Sequence, residues 1–296
     1  MIKQQQTFSK QDVQKTLFNL AGFALIGGVA VYMVVAAFQT EEIKQCSVRY
    51  PSYTELSLAS HSGNLLTPIE LEAGLSSGAE NISENAEIVS LQDSEANATA
   101  LKVRLQEQPK TGSEIAGIKF HWAPSSLQSS RAGCLTYKTK LPEDIDFARP
   151  GFLPGFSGGG TAESRDGKVQ DFEFASQLGW NETGQPVVKV ARTGFVKGWF
   201  NYLEFSAKGP IPTGRWIELE QEIVTNTKNK SDGTYRLWVN GVLIVNKTKI
   251  NWAPKGSAKF HGVTGKIGLQ SRAEIAFEFE PKQQFVHLTP FQLRWE

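Results

Sequence analysis

The stretch WIELEQEIVTNTKNKSDGTYRLWVNG, residues 216–241, decides the fold class. Residues 216–224 and 234–239 alternate apolar and polar side chains, the period-two pattern of strands with one buried face. Lys230-Ser231-Asp232-Gly233 and Asn240-Gly241 supply residues that tolerate positive φ, the latter in hairpin position. Strand, turn, strand and turn are therefore expected here.

The same pattern repeats outward. IKFHW (118–122), CLTYKTKL (134–141), QDFEFAS (170–176), PVVKVAR (186–192) and FNYLEFS (200–206) precede the stretch, and KIGLQS (266–271), AEIAFEFE (273–280) and FQLRW (291–295) follow it. Between 53 and 296 no long amphipathic helix is legible. Many antiparallel strands without helices imply a sandwich, jelly roll or barrel. TPIEL (67–71) and VRLQE (103–107) also read as strands, with the Ser-, Glu-, Asn- and Ala-rich stretch 72–100 as a loop insertion or a linker to a small lobe. Residues 53–296 are taken as one domain.

Composition agrees: 40% hydrophobic and 21% charged residues suit a globular chain, and 27 glycines with 7 tryptophans suit strands and turns. A net charge of +1 gives no pull toward phosphate backbones, so no nucleic-acid partner is expected. Cys46 and Cys134 either pair in an oxidising compartment or stay two unpaired thiols; spacing does not choose between them. No Cys/His spacing suggests a metal.

Leu17–Phe38 carries no charge and is long enough for a hydrocarbon core, with Lys3, Lys10 and Lys15 before it and Glu41 and Glu42 after it. The expectation is a cytoplasmic segment 1–16, a single transmembrane helix 17–38, a polar tether 39–52 and a domain 53–296 that is periplasmic or extracellular at the inner (plasma) membrane. A cleaved signal peptide fits less well, because the run is long and Ala36-Ala37-Phe38 is a poor cleavage site. Ala24 and Gly28, one turn apart, read as a contact for a partner helix or as ordinary lipid-facing residues. Asn81, Asn97, Asn181, Asn229 and Asn246 each begin an Asn-x-Ser/Thr triplet, relevant only in a eukaryotic secretory pathway.

Nucleophile elbows, phosphate loops and zinc-protease motifs are missing, and His61, His121, His261 and His287 are scattered. PGFLPGFSGGG (150–160) has glycine enough for a mobile loop, or forms a rigid turn. Three runs stand together in order. CLTYKTKLP with DIDF (134–147) leads into PGFLPGFSGG; Lys189–Phe205 is a strand pair with basic residues whose second strand carries Tyr202; Gly214-Arg215-Trp216 leads through Thr225-Asn226-Thr227 and Asp232-Gly233 to LWVNG (237–241). This series resembles polysaccharide lyase family 14 and related jelly rolls, which cleave uronate polymers such as alginate or glucuronan. The resemblance implies a concanavalin-like antiparallel β-sandwich and no cofactor. It departs from the family pattern where activity would live: Phe152 stands in place of a lysine, and of paired tyrosines only Tyr202 remains.

A lyase must neutralise the uronate carboxylate, take the C5 proton and protonate the leaving oxygen. The resemblance puts Lys189 or Arg192 in the first role and Tyr202 in the second or third, with His121 sharing it. Alternation sets Lys189 and Arg192 on opposite faces unless a bulge intervenes. Tyr137, Lys138, Trp199, Glu204 and Gln270 are the candidate sugar contacts, through ring stacking and polar pairing. The reading is a membrane-anchored polysaccharide-binding protein with a lyase-like fold, an accessory of a polysaccharide synthase or exporter. The alternatives are an active lyase and a structural subunit that binds no carbohydrate.

Overall fold

The computed structural model describes residues 43–91, 98–105, 115–163, 169–194, 202–206, 209–253, 256–270 and 283–296. Two antiparallel sheets face each other across one core. The first sheet holds β1 (Ser52–Leu56), β3 (Ala86–Leu91), β4 (Ala98–Leu105), β6 (Ala132–Lys140), β12 (Trp216–Val224), β13 (Gly233–Val239), β14 (Val242–Ile250), β16 (Gln284–Leu288) and β17 (Phe291–Trp295). The second holds β2 (Ser76–Glu80), β5 (Ile115–Trp122), β7 (Gly151–Leu153), β8 (Gly155–Glu163), β9 (Val169–Trp180), β10 (Pro186–Gly194), β11 (Tyr202–Ser206) and β15 (Gly256–Gln270).

In the first sheet the order is β14-β13-β12-β6-β16-β4-β3, with β17 also beside β6 and β1 beyond it. In the second it is β11-β10-β9-β7-β15-β5-β2, with β8 following β7 between β9 and β15. Alternation drives the layering, since each strand turns one set of side chains inward to leave water. Leu219 and Ile223 of β12, with Leu135 and Tyr137 of β6, meet Phe120, Phe174, Leu178 and Val190 of the second sheet in one buried cluster. Phe291 joins the layers, its ring 5.7 Å from Phe120 and edge-on to Tyr137 at 5.4 Å.

Asn240 (φ +49°) and Gly241 (φ +79°) make the tight turn between β13 and β14. TPIEL is not a strand. It opens helix α1 (Pro68–Ala73): Thr67 Oγ1 accepts from Glu70 N, Glu70 Oε2 accepts from Thr67 N at 2.7 Å, and proline occupies the first turn. Residues 72–100 are no plain loop either, because they carry β2, helix α2 (Ile82–Asn85), β3 and the start of β4. PGFLPGFSGGG is β7 and β8. Its glycines let other groups press close, and a Cβ on Gly151 would lie 1.9 Å from the Trp180 ring. AEIAFEFE (273–280) lies outside the described residues.

Lys44–Glu296 forms one compact unit. The end of the expected tether is fixed to it. Cys46 is disulfide-bonded to Cys134 on β6. Ser47 N and Oγ donate to Glu220 at 3.0 and 2.7 Å, and Arg49 Nη2 and Arg236 Nη1 each lie 2.6 Å from a different oxygen of Glu222. The Tyr50 hydroxyl donates to Glu222 as well. Residues 45–50 thereby cover the outer face of β12, and Glu220 and Glu222 are buried there despite their charge.

The expected localisation is corrected. The two α-helices described, Pro68–Ala73 and Ile82–Asn85, are short, and among the described residues no helix is long and apolar enough to cross a membrane. The Leu17–Phe38 run lies outside those residues, so the single-pass, inner-membrane placement has no structural basis.

Candidate functional site

The outer face of the second sheet carries a cleft of about 350 Å³ lined by His121, Ser157, Glu173, His261 and Thr264. Alternation explains most of this set. Phe120, Phe156 and Phe174 point into the core, so His121 on β5, Ser157 on β8, and Glu173 and Ala175 on β9 point out.

β15 needs a device, because Phe260 and Val263 are both in the core although three positions apart. A register shift between Phe260 and Gly262 against β8 inserts His261 as an extra residue. Gly262 takes φ +147°, where a Cβ would lie 2.1 Å from the Trp122 carbonyl oxygen. This bulge turns both His261 and Thr264 toward the cleft. Thr264 is then the cross-strand partner of His121.

His121 Nε2 lies 2.9 Å from Ser157 Oγ, which in turn lies 3.3 Å from the Gly262 carbonyl. When the Ser157 proton goes to that carbonyl, Nε2 carries the imidazole hydrogen and Nδ1 keeps a lone pair. Partial burial, then the neighbouring His261, hold the His121 pKa below its ordinary value, against an opposing pull from Glu173. At neutral pH the ring is uncharged and able to take a proton.

From the cleft a polar row runs across the strands. Thr264 pairs with His121 and with Gly155, while on the other side Lys189 of β10 pairs with Gln177 of β9 and Glu204 of β11. Glu204 is exposed, and Lys189 and Gln177 are half-buried. At roughly 4.8 Å per strand, His121 and Lys189 are about 19 Å apart.

The other expected site residues fall as follows. Arg192 and Tyr202 are described by register alone, paired with Phe174 and Ala191. Trp199 lies outside the described residues. Gln270 is exposed at the end of β15, its backbone N donating to Pro150 O at 2.8 Å. One expectation is corrected. Tyr137 is 2% exposed, with its hydroxyl donated to Pro154 O at 3.0 Å, so it packs the core instead of meeting a sugar. Lys138 is exposed on β6, in the first sheet, away from the cleft face.

Ser157, Glu173, His261 and Thr264 escape the sequence reading. Ser157 sits in a glycine run that reads as a loop. The one available signal is Phe260-His261-Gly262-Val263, whose apolar spacing of three breaks the strand period at a glycine. Among the described residues, the metal-competent grouping is Cys46, Cys134 and Glu220, and its two sulfurs are already bonded to each other.

Solved structures share this architecture. A marine alginate lyase of family PL-14 from Aplysia kurodai superposes with a TM-score of 0.59 at 16% identity, covering 82% of this chain and 98% of its own. An alginate lyase from Chlorella virus gives 0.57 at 17% identity, covering 83% and 100%. The fold is the jelly roll these two alginate lyases share. An endo-β-1,4-glucuronan lyase from the fungus Trichoderma reesei shares it more distantly, with a TM-score of 0.51 at 10% identity over 83% of this chain and 96% of that one. No family profile matches the sequence, and no curated protein does. At these identities the likeness to the lyases is one of fold.

Proposed function

We propose that this protein binds an acidic, uronate-containing polysaccharide along the outer face of the second sheet. The row Glu204, Lys189, Gln177, Thr264 and His121 supports this reading: it crosses the strands on a face that also holds a cleft. The Lys189 cation, next to Glu204 toward one end, and an uncharged histidine cleft at the other suit a polymer, which can touch both, better than a single sugar. The lyase fold of proteins that act on alginate and glucuronan supports the same ligand class.

A second reading, β-elimination, is favoured by His121 alone. A neutral imidazole held by Ser157 is placed to accept a C5 proton. With about 19 Å between them, Lys189 and His121 cannot serve the same sugar, since the carboxylate and the C5 hydrogen belong to one ring. Binding therefore comes first. The fold gives no support to a role as accessory of a synthesis or export complex.

The test is calorimetry on the full chain with alginate, polygalacturonate and neutral dextran, with ultraviolet absorbance followed in the same samples. Binding of a uronate polymer without absorbance, weakened about tenfold by Lys189→Ala, is the expected result. Rising absorbance that is lost in His121→Ala would establish the lyase reading instead. No heat with any acidic polymer would sink both.

A further inference from the structure

The opposite face of the sandwich carries a second row of chemistry that the proposed cleft does not use. Register places five outward positions of the first sheet side by side across β3, β4, β16, β6 and β12. Glu87 pairs with Lys102, Lys102 with His287, His287 with Lys140, and Lys140 with Trp216. One step along β4 and β16, Arg104 pairs with Phe285.

The side chains form a connected surface. Lys102 Nζ lies 4.5 Å from the centre of the Phe285 ring, and the Trp216 and His287 rings meet edge-on at 6.4 Å, on either side of Lys140 in register. Trp216, Phe285, His287 and Lys140 are all half-buried, so their positions are held while one side stays open. Beside this row the described carboxylates are Glu87, 3.0 Å from Lys102, and Glu218, the register partner of Lys138; Glu220 and Glu222 lie farther along β12, covered by residues 45–50. Lys140 and Arg104 have no carboxylate in salt-bridge range among the described residues. Burial, with Lys102 and Lys140 beside it, holds the His287 pKa below its ordinary value, as expected where positive charge is concentrated.

We infer that this row is a second binding site, for an acidic oligosaccharide strand that stacks one sugar on Trp216 and pairs its carboxylates or sulfates with Lys140 and Lys102. Charge complementarity selects an anion, and the aromatic rings beside the cations, Trp216 at the end of the row above all, select sugar rings over a phosphate or an acidic peptide. From Trp216 to Lys102 the row crosses three strand spacings, about 14 Å, which suits a short oligosaccharide and exceeds one sugar. The ligand class follows the function proposed above, but the site and its residues are separate from those of the cleft face.

The experiment is calorimetry of the full chain with oligogalacturonate, comparing wild type with Lys189→Ala, Lys140→Ala and Trp216→Phe, each checked by thermal melting. Two sites per chain are expected. Lys189→Ala should weaken one about tenfold and leave the other, whose affinity falls about tenfold in Lys140→Ala and whose binding no longer quenches tryptophan fluorescence in Trp216→Phe. A single site weakened by Lys189→Ala and indifferent to Lys140→Ala overturns the inference and leaves the cleft reading standing. No binding in wild type overturns both. Tripolyphosphate bound as tightly as the oligosaccharide, without dependence on residue 216, would show a bare cation cluster and overturn the sugar assignment.

Discussion

Arg49 and Glu222 stand 173 positions apart in the chain and 2.6 Å apart in the fold. Glu222 is fully buried on a strand whose other face is core, so Arg49, Arg236 and Tyr50 together keep its charge compensated. Removing the carboxylate strands two guanidinium groups. Glu222→Ala is expected to cost about 3–5 kcal/mol in chemical denaturation. Arg49→Ala leaves Arg236 in place and removes a partly solvated partner, so it should cost about 1 kcal/mol. Equal losses in the two variants would contradict this division.

The Cys46–Cys134 bond closes a long loop, with a sequence separation of 88. Cys46→Ser with Cys134→Ser should lower stability by about 2–5 kcal/mol, through an unfolded chain with more freedom. Thermal melts with and without reductant give the number, and an unmoved midpoint would show that the Glu220 and Glu222 contacts suffice alone.

Alkaline pH should unfold this domain early. Burial raises the Tyr50, Tyr137 and Tyr235 pKa values well above the ordinary phenol value, with Glu222 adding to the effect at Tyr50. In the unfolded chain these groups ionise near pH 10, so their stabilising effect is full below that pH and declines above it. The three together lose about 4 kcal/mol per pH unit above 10. Circular dichroism at pH 9 to 12 checks this, and Tyr235→Phe should soften the slope.

Gly262→Ala puts a methyl group 2.1 Å from the Trp122 carbonyl oxygen at a φ that L-residues avoid. About 2 kcal/mol or more of stability should go, and the bulge that orients His261 and Thr264 with it. If polymer binding survives unchanged in a folded Gly262→Ala protein, the bulge does not shape the cleft.

His121 has a depressed pKa and faces His261 and Glu173 across the cleft. Its contribution to stability is complete above the unfolded value, near 6.5, and is lost as pH falls through the lower folded value. Binding an acidic polymer favours the charged ring, so affinity should rise from pH 7 to pH 5. His121→Gln should flatten that rise, and a profile identical to wild type would remove His121 from the ligand's path.

Period-two patterning made β12, β13 and β17 readable, because each turns one face to the core. WIELEQEIV became Trp216–Val224 and FQLRW became Phe291–Trp295. What alternation could not show is that Glu220 and Glu222 are buried too, since their cover comes from residues 45–50, far off in sequence. TPIEL misled because apolar content outweighed a capping box that was visible as Thr67 and Glu70. In the candidate site, His121 was legible as an outward residue of a strand. Its companions were not, because Ser157 lies among glycines and His261 depends on a bulge.

The position of β16 and β17 also sets a clock. They come after every other described strand in chain order, yet β16 bridges β6 to β4 and β17 bridges β6 to β1. Until the ribosome has delivered Trp295, the first sheet exists as two halves, with the edges of β6 and β4 bare and able to pair wrongly. Closure thus waits for late strands that join partners made about 150 to 240 residues earlier. A nascent chain stalled before residue 284 would be open, slow to settle and a substrate for chaperones.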